Sequence, residues 1–433
     1  MEKLENYYGR QFTPDQLPAD LSEKALAIPA MIKKSGKYYC QRCNSQLSLD
    51  WNLPDSSYYC RNCLVFGRLT TNDKIYFFEQ KSFKKANYLA WQGKLTPFQR
   101  EISERLIEAV KARENILVHA VTGSGKTEMV YRALATCLDK GDAVALVSPR
   151  IDVCRELYQR IKRDFTCPIS LLYANSEPYQ RSPLVISTVH QLFKFYKAFD
   201  LIIIDEVDAF PFVDDQSLYH AVANALKPGG SKIFLTATST DNLEKQVKKG
   251  QLRKLDLARR FHAHPLVVPK FVWLGDLEEK MKKGFLPIRL LKDIRQQRTS
   301  GYPLLLFYPT IAEGKEFTQL LQKVLPKERI AFVSSTSPER QELVQDFHDG
   351  QLDILVSTTI LERGVTFPKI DLFILEANHK LYTKSALIQI AGRVGRSSQR
   401  PTGLLRFYHA GVTRSMRRAL LDIKGMNKKG GFS

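Results

Sequence analysis

From about residue 91 onward the chain alternates short, uninterrupted apolar runs with stretches of helical periodicity. The first runs fall at 116–118, 143–147, 184–186, 201–204 and 232–235. Strands this short and this apolar, separated by helices, predict a parallel sheet covered on both faces. The rhythm breaks across 259–269, a stretch with two prolines that reads as an extended connector. It restarts with runs at 304–307, 330–333, 354–356, 372–375 and 404–407. The pattern therefore predicts an α/β protein with two parallel-sheet domains in tandem, 91–270 and 271–433. Residues beyond Gly425 read as a frayed tail.

Residues 1–90 lack this rhythm and read as an irregular, aromatic-rich module with paired cysteines. Cys40-Gln-Arg-Cys43 is followed, after sixteen intervening residues, by Cys60-Arg-Asn-Cys63. Each C-x-x-C turn sets two sulfurs on one side of a tight loop, and two such loops complete a tetrahedral thiolate zinc site. With all four positions filled by protein, the zinc is expected to be structural, and a reducing cytosol argues against disulfides. Around the knuckles, Tyr38, Tyr39, Tyr58, Tyr59 and Phe66 interleave with Lys37, Arg42, Arg61 and Arg68. That mixture suits stacking on bases and pairing with phosphates, or equally the packing of a tiny domain around its metal. Cys137, Cys154 and Cys167 have no ligand spacing and are expected in the core, while His262 and His264 read as linker histidines.

The chemistry centres on Ala120-Val-Thr-Gly-Ser-Gly-Lys-Thr127, placed between a predicted strand and a predicted helix. Backbone N–H groups of Thr122, Gly123, Ser124, Gly125 and Lys126 can point at a phosphate, and the helix start adds its positive dipole end. Lys126 is expected to reach the β- and γ-phosphates and Thr127 to offer its hydroxyl to magnesium. At a predicted strand end, Leu201-Ile-Ile-Ile-Asp205-Glu206-Val-Asp208 supplies carboxylates, Asp205 for magnesium and Glu206 for the attacking water. Upstream, Gln99 in Leu95-Thr-Pro-Phe-Gln99 offers an amide suited to the adenine edge. In the second predicted sheet domain, Gln389-Ile-Ala-Gly-Arg393-Val-Gly-Arg396 carries two guanidinium groups of the kind that stabilise phosphoryl transfer. ATP, magnesium and zinc are thus the expected cofactors.

Charge adds a partner. The formal net charge is +20, with 13 basic and 9 acidic residues in 1–90, 26 and 20 in 91–270, and 26 and 16 in 271–433. A basic surface this extended suits a polyanion, nucleic acid first and an anionic membrane face second. No apolar run approaches about 18 residues, so no membrane span is expected. The opening Met1-Glu-Lys-Leu-Glu-Asn-Tyr-Tyr has neither the basic nor the apolar region of an export signal, which predicts a cytoplasmic protein.

The ordered motifs between about residues 91 and 410 resemble those of superfamily 2 helicases and translocases, which have two RecA-like domains. In that family's terms, 95–99 resembles the adenine-reading motif, 120–127 motif I, 205–208 the DExD box and Thr236-Ala-Thr238 motif III. Motif VI is resembled by 389–396. Ser148-Pro-Arg150, Ser187-Thr188 with Gln191, and Phe307-Tyr-Pro-Thr310 look like strand-contacting motifs. Ser357-Thr358-Thr359 through Gly364 and Thr366 resembles motif V. The resemblance implies nucleic-acid contacts at Arg150, Thr188, Thr310, Thr358 and Thr359. It also implies catalytic roles for Lys126, Asp205, Glu206, Gln389, Arg393 and Arg396.

Val-Thr-Gly-Ser-Gly-Lys-Thr-Glu is similar to the PriA helicases, but a single four-cysteine module in front of the core is the layout of the ComFA family of late competence proteins. That resemblance implies an ATP-driven motor at the inner face of the membrane that helps import single-stranded DNA during transformation. It further implies association with a ComEC channel and a ComFC-like protein. An ATP-gated DNA scaffold, a PriA-like restart helicase and an RNA remodeller are the competing readings.

Overall fold

The computed structural model describes residues 4–432 except Arg363, Gly364 and Thr366, together with the backbone alone of Asp214. The chain divides into two compact units, Met1–His119 with Lys126–Asp256, and Ala120–Gly125 with Leu257–Ser433.

The first unit opens on β1 (Gln11–Phe12), a single turn of helix α1 (Ala19–Ser22), β2 (Leu26–Pro29), β3 (Met31–Lys34), β4 (Lys37–Cys40) and β5 (Lys74–Phe77). Strands β1, β5 and β2 form a three-stranded antiparallel sheet, and β3 and β4 form a hairpin that delivers Cys40. The expected irregular module is therefore more ordered than its composition suggested. These strands are two to four residues long, too short for an alternating pattern to stand out.

Helix α2 (Pro97–Ala112) starts on a capping box: Thr96 accepts from the Gln99 N–H while the Gln99 side chain accepts from Thr96 N–H. Then follow β6 (Ile116–Ala120), α3 (Lys126–Leu138), β7 (Val144–Ser148), α4 (Ile151–Asp164), β8 (Ile169–Leu172) and β9 (Leu184–Thr188). The unit continues with β10 (Phe199–Ile204), α5 (Gln216–Ala225), β11 (Leu226–Thr236), α6 (Asp241–Lys248) and β12 (Arg253–Leu257). The sheet has the order β12-β6-β11-β10-β7-β9-β8. Strands β7 and β9 are buried at every position, as burial on both faces of a parallel sheet requires. Because β11 lies between β6 and β10, the carboxyl ends of β11 and β10 bring motif III and the DExD box side by side, next to His119 on β6.

The second sheet comprises β13 (Lys270–Trp273), β14 (Leu304–Phe307), β15 (Ile330–Val333), β16 (Ile354–Ser357), β17 (Asp371–Ile374) and β18 (Leu405–His409). Its order is β13-β18-β17-β14-β16-β15, with every pairing parallel. Its helices are α7 (Leu277–Lys282), α8 (Ile288–Arg298), α9 (Ile311–Val324), α10 (Arg340–His348), α11 (Lys384–Ala391) and α12 (Arg414–Lys429).

The frayed tail expected after Gly425 is overturned, because α12 runs through Gly425 to Lys429. Asn427 holds it down, accepting from Leu266 N–H at 2.7 Å and donating to the Leu266 carbonyl at 2.9 Å. Buried Met416, Ala419, Ile423 and Met426 continue one helical face across the glycine.

Candidate nucleotide site and cysteine centre

At the end of β6 the chain enters a turn in which Gly123 has φ +76° and Gly125 φ +73°. These left-handed positions favour glycine and suit the turn of an anion-binding nest, whose open N–H groups do not include that of Ser124. Ser124 N–H donates to the Val121 carbonyl at 3.2 Å, and Phe261 N–H to the Gly123 carbonyl at 3.1 Å, which pins the turn. Lys126 and Thr127 then open α3, which follows the turn directly along the chain.

Within the first unit, Asp205 is buried at the end of β10, its N–H donating to Val147 at 2.8 Å. Burial pushes its carboxyl up to about 6; the Lys126 ammonium opposes the rise, and Glu206 and Asp208 add to it. Lys126, Asp205, Glu206 and Asp208 therefore share one electrostatic neighbourhood. Glu206 takes φ +55°, a left-handed conformation unusual for a non-glycine, and its N–H caps Asp205 Oδ1 at 2.8 Å. Asp208 in turn binds motif III, with Thr236 Oγ1 at 2.8 Å and Thr238 Oγ1 at 2.5 Å. An oxygen-only donor set, Asp205 with the Thr127 hydroxyl, fits magnesium alongside phosphate oxygens. The loop's glycine nest and Lys126 fit the phosphates of ATP.

The other expected site residues are placed as follows. Gln99 is buried at the head of α2, with Oε1 engaged by Thr96 N–H at 2.9 Å. Arg150 follows β7 and Thr188 ends the neighbouring β9, so both sit at the carboxyl edge of the first sheet. Thr310 follows β14, and Thr358 and Thr359 follow the paired β16, which gives the second sheet the same arrangement. Thr310 bonds Glu313 at the start of α9, and Thr358 is buried. Gly364 and Thr366 of the motif V stretch lie outside the described residues. Gln389 is buried on α11. Arg393 is also buried and gives its guanidinium to the backbone, Nε to the Glu362 carbonyl at 3.2 Å and Nη1 to that of Val365. Arg396 is partly exposed.

The cysteine centre is built by two knuckles. Sγ atoms of Cys40, Cys43, Cys60 and Cys63 all lie within 4.8 Å of one another, and all four residues are buried. Individual separations are 3.7 Å for Cys40–Cys63, 3.5 Å for Cys43–Cys60 and 3.6 Å for Cys60–Cys63. Four thiolates at about 2.3 Å from a tetrahedral zinc stand about 3.8 Å apart, so the set fits that ion.

Of the basic residues around the knuckles, Arg42 is unavailable to a polyanion. It is 3% exposed, and its Nε and Nη2 donate to Cys63 Sγ, each at 3.2 Å. Nη2 also lies within hydrogen-bond reach of the Cys63 and Gly67 carbonyls, and Nη1 donates to that of Phe66. Phe66 packs on Phe193 at 5.2 Å, and Tyr38 stacks with Tyr58 at 6.1 Å. For Arg42, Phe66, Tyr38 and Tyr58, packing is the observed role.

The knuckle is also bolted to the first sheet's helices. The Gln41 carbonyl accepts from His220 Nε2 at 3.0 Å and Asn224 Nδ2 at 2.8 Å, both on α5. Cys137, Cys154 and Cys167 are buried thiols, and His262 Nε2 donates to the Gly395 carbonyl at 3.0 Å.

Comparison with known proteins agrees with this geometry. The DEAD/DEAH box helicase family model matches residues 96–246, and the helicase conserved C-terminal domain matches 287–398. Competence protein ComFA of Streptococcus pneumoniae is 53% identical over 427 residues, covering 99% of each chain. The chain belongs to the ComFA family. Competence protein ComFA of Bacillus subtilis is 39% identical over 400 residues, covering 90% of this chain and 86% of the relative. Among solved structures, the DEAD-box helicase Mss116 bound to ssRNA and UDP-BeF matches with a TM-score of 0.56 at 16% identity. That match covers 78% of this chain and 83% of Mss116, and it shows the fold. A ComFA chain with both helicase domains is an ATP-hydrolysing, helicase-type enzyme that uses ATP and magnesium. No helix among the described residues of this ComFA protein is long and apolar enough to cross a membrane.

The sequence marks Arg260 only as part of the connector and gives it no role, and it does not reveal Asn427 or the pair His220 and Asn224. Their partners are backbone carbonyls far away in sequence, which leave no local pattern. The capping box at Thr96–Gln99 was readable, since Thr-x-x-Gln ahead of an apolar helix is its signature.

Proposed function

We propose that this protein is a single-stranded-DNA-dependent ATPase that translocates, driving DNA uptake in competence for transformation. The observation that carries the reading is near full-length identity of 53% to a protein named for competence, over a chain that keeps the phosphate loop and carboxylate pair. The +20 charge supports a nucleic-acid partner. In this account the loop from Thr122 to Thr127 grips ATP, and Asp205 with Thr127 holds magnesium. Glu206 orients the water, and Gln389, Arg393 and Arg396 act on the γ-phosphate from the second helicase domain. Arg396 has the stronger claim to the finger role, because the Arg393 guanidinium is committed to the 362–365 backbone. Gln99 reads adenine, and Arg150, Thr188, Thr310, Thr358 and Thr359 meet the DNA backbone. Zinc on the four cysteines is structural. The residue ranges 1–90, 91–270 and 271–433 serve as zinc module, nucleotide-binding domain and C-terminal helicase domain.

Work at the inner face of the membrane, next to a ComEC-type channel and a ComFC-like protein, follows from the family assignment. A motor and an ATP-gated clamp share the same active site. Displacement of a triplex-forming strand from a single-stranded track separates them: ATP-dependent displacement by wild type but not Glu206→Gln supports the motor. Tight, ATP-controlled DNA binding without displacement favours the clamp.

A further inference from the structure

Just after β12, the second unit carries an arginine in surroundings unlike those of a surface cation. Arg260 is 3% exposed, and its guanidinium is surrounded by backbone. Nη1 donates to the carbonyls of Val394 at 2.8 Å and Gly395 at 2.6 Å, and Nη2 to that of Gly392 at 3.1 Å. Three carbonyls of the motif VI turn thus hang on one side chain. The turn is shaped for it: Gly395 has φ +68°, and a Cβ there would overlap the Pro401 carbonyl and stand 3.0 Å from Arg260 Nη1. On its other side Arg260 lies along the phosphate loop, where a Cβ on Gly123 would meet its Cγ, Cδ and Nε, each at 3.9 Å.

Its charge is not balanced locally. Among the described residues no carboxylate pairs with Arg260, and its buried Nε has no hydrogen-bond partner. Burial, and next the charge of Arg396, both weigh against the cation. Carbonyl dipoles solvate a guanidinium but do not neutralise it, so a buried, unpaired cation of this kind calls for an anion. Neighbouring Arg259 differs: it donates Nε to the Gly430 carbonyl at 2.6 Å and faces the Phe432 ring at 5.3 Å, which makes it a clamp on the C-terminal helix.

We propose that Arg260 is a phosphate-sensing positioning residue, which suspends the 392–396 turn from its guanidinium and takes its counter-charge from a nucleotide phosphate on the loop beginning at Ala120. Nucleotide binding and the placement of Arg396 are then linked through one side chain. This inference rests on the nucleotide-site reading above.

The test uses the full chain, with thermal unfolding followed with and without saturating Mg-ATPγS, affinity for a fluorescent ADP, and steady-state kcat and KM. Arg259→Gln, Arg260→Gln and Arg260→Lys are compared with wild type. Arg260→Gln removes an unpaired buried charge but leaves carbonyls of the 392–395 turn without a donor, opposing effects that should keep the melting temperature of the nucleotide-free protein within a few degrees of wild type. The same variant is expected to lose most of the nucleotide-induced rise and about tenfold in ADP affinity. Arg260→Lys keeps the charge but cannot span three carbonyls; it should bind ADP within about threefold of wild type while kcat falls about tenfold or more. Arg259→Gln should lower the melting temperature and leave the nucleotide-induced rise intact.

An Arg260→Gln protein with an unchanged rise and affinity overturns the proposal. Should Arg260→Gln fail to fold, Arg260→Lys decides: unchanged kcat overturns the idea, and reduced kcat at near-normal affinity supports it. A wild-type chain that gains no stability from Mg-ATPγS overturns the nucleotide-site reading itself, and this inference with it.

Discussion

The Thr236 hydroxyl donates to Asp208 Oδ1 at 2.8 Å, joining the end of β11 to the carboxylate that follows β10. Thr238 Oγ1 takes the other oxygen of the same carboxylate at 2.5 Å. All three side chains are buried, so these bonds tie motif III to the DExD box away from solvent. Replacing Thr236 with Val keeps the shape and removes one donor from a buried carboxylate, at a cost of about 1–3 kcal/mol. Chemical denaturation should register that loss. Nucleotide affinity should stay within about threefold, while stimulation of ATP turnover by DNA should fall at least about tenfold. A variant with normal stimulation would mean that the threonine–aspartate link serves stability alone.

Lys126→Ala and Glu206→Gln separate binding from chemistry. Removing the ammonium should abolish measurable nucleotide binding or turnover. Glu206→Gln keeps the backbone and side-chain size, so it should bind ATP like wild type and reduce kcat by about 10² or more. Normal hydrolysis by Glu206→Gln would show that another group orients the water.

One zinc per chain is expected by elemental analysis of protein purified without chelator. Cys60→Ser should unfold the cysteine module, because metal binding there contributes folding free energy. Arg42→Gln leaves all four ligands but removes both donors to Cys63 Sγ. Zinc affinity, measured by competition with a chromogenic chelator, should fall roughly 10–100-fold. Unchanged affinity would reduce Arg42 to a loop brace.

Gly392 is fixed by a neighbour within the second unit. A Cβ there would overlap the Thr122 side chain, whose short, branched form cannot swing aside. Gly392→Ala should therefore lower kcat/KM about tenfold or more with little change in far-UV circular dichroism, and Thr122→Ser in the same chain should restore part of the loss. Full activity in the single variant would show that the turn and loop stand farther apart in the working protein.

Both sheets were legible because their central strands are continuous apolar runs, which only a doubly covered parallel sheet explains. The runs at 201–204 and 304–307 fall inside β10 and on β14. Strands β8, β12 and β13 escaped notice. Each has polar or exposed positions, as in Arg253-Lys-Leu-Asp-Leu257, and edge or near-edge strands of this kind show neither alternation nor a continuous run. The C-terminal helix was missed for another reason: Gly425 and the Lys-Lys-Gly-Gly that follows look like a tail, while buried Asn427 breaks the apolar face with a polar residue. At the site, the phosphate loop and carboxylates announce themselves because their chemistry demands fixed residue types at fixed spacing. Arg42 and Arg260 do not, since backbone carbonyls, common to every residue, supply so much of what surrounds them.

The most direct test of the account is ATP turnover by the purified chain with and without single-stranded DNA, set beside RNA of equal length. Single-stranded DNA should raise kcat about tenfold or more, RNA should do so far less, and added salt should weaken the effect. ATP turnover that does not change when single-stranded DNA is added would contradict it.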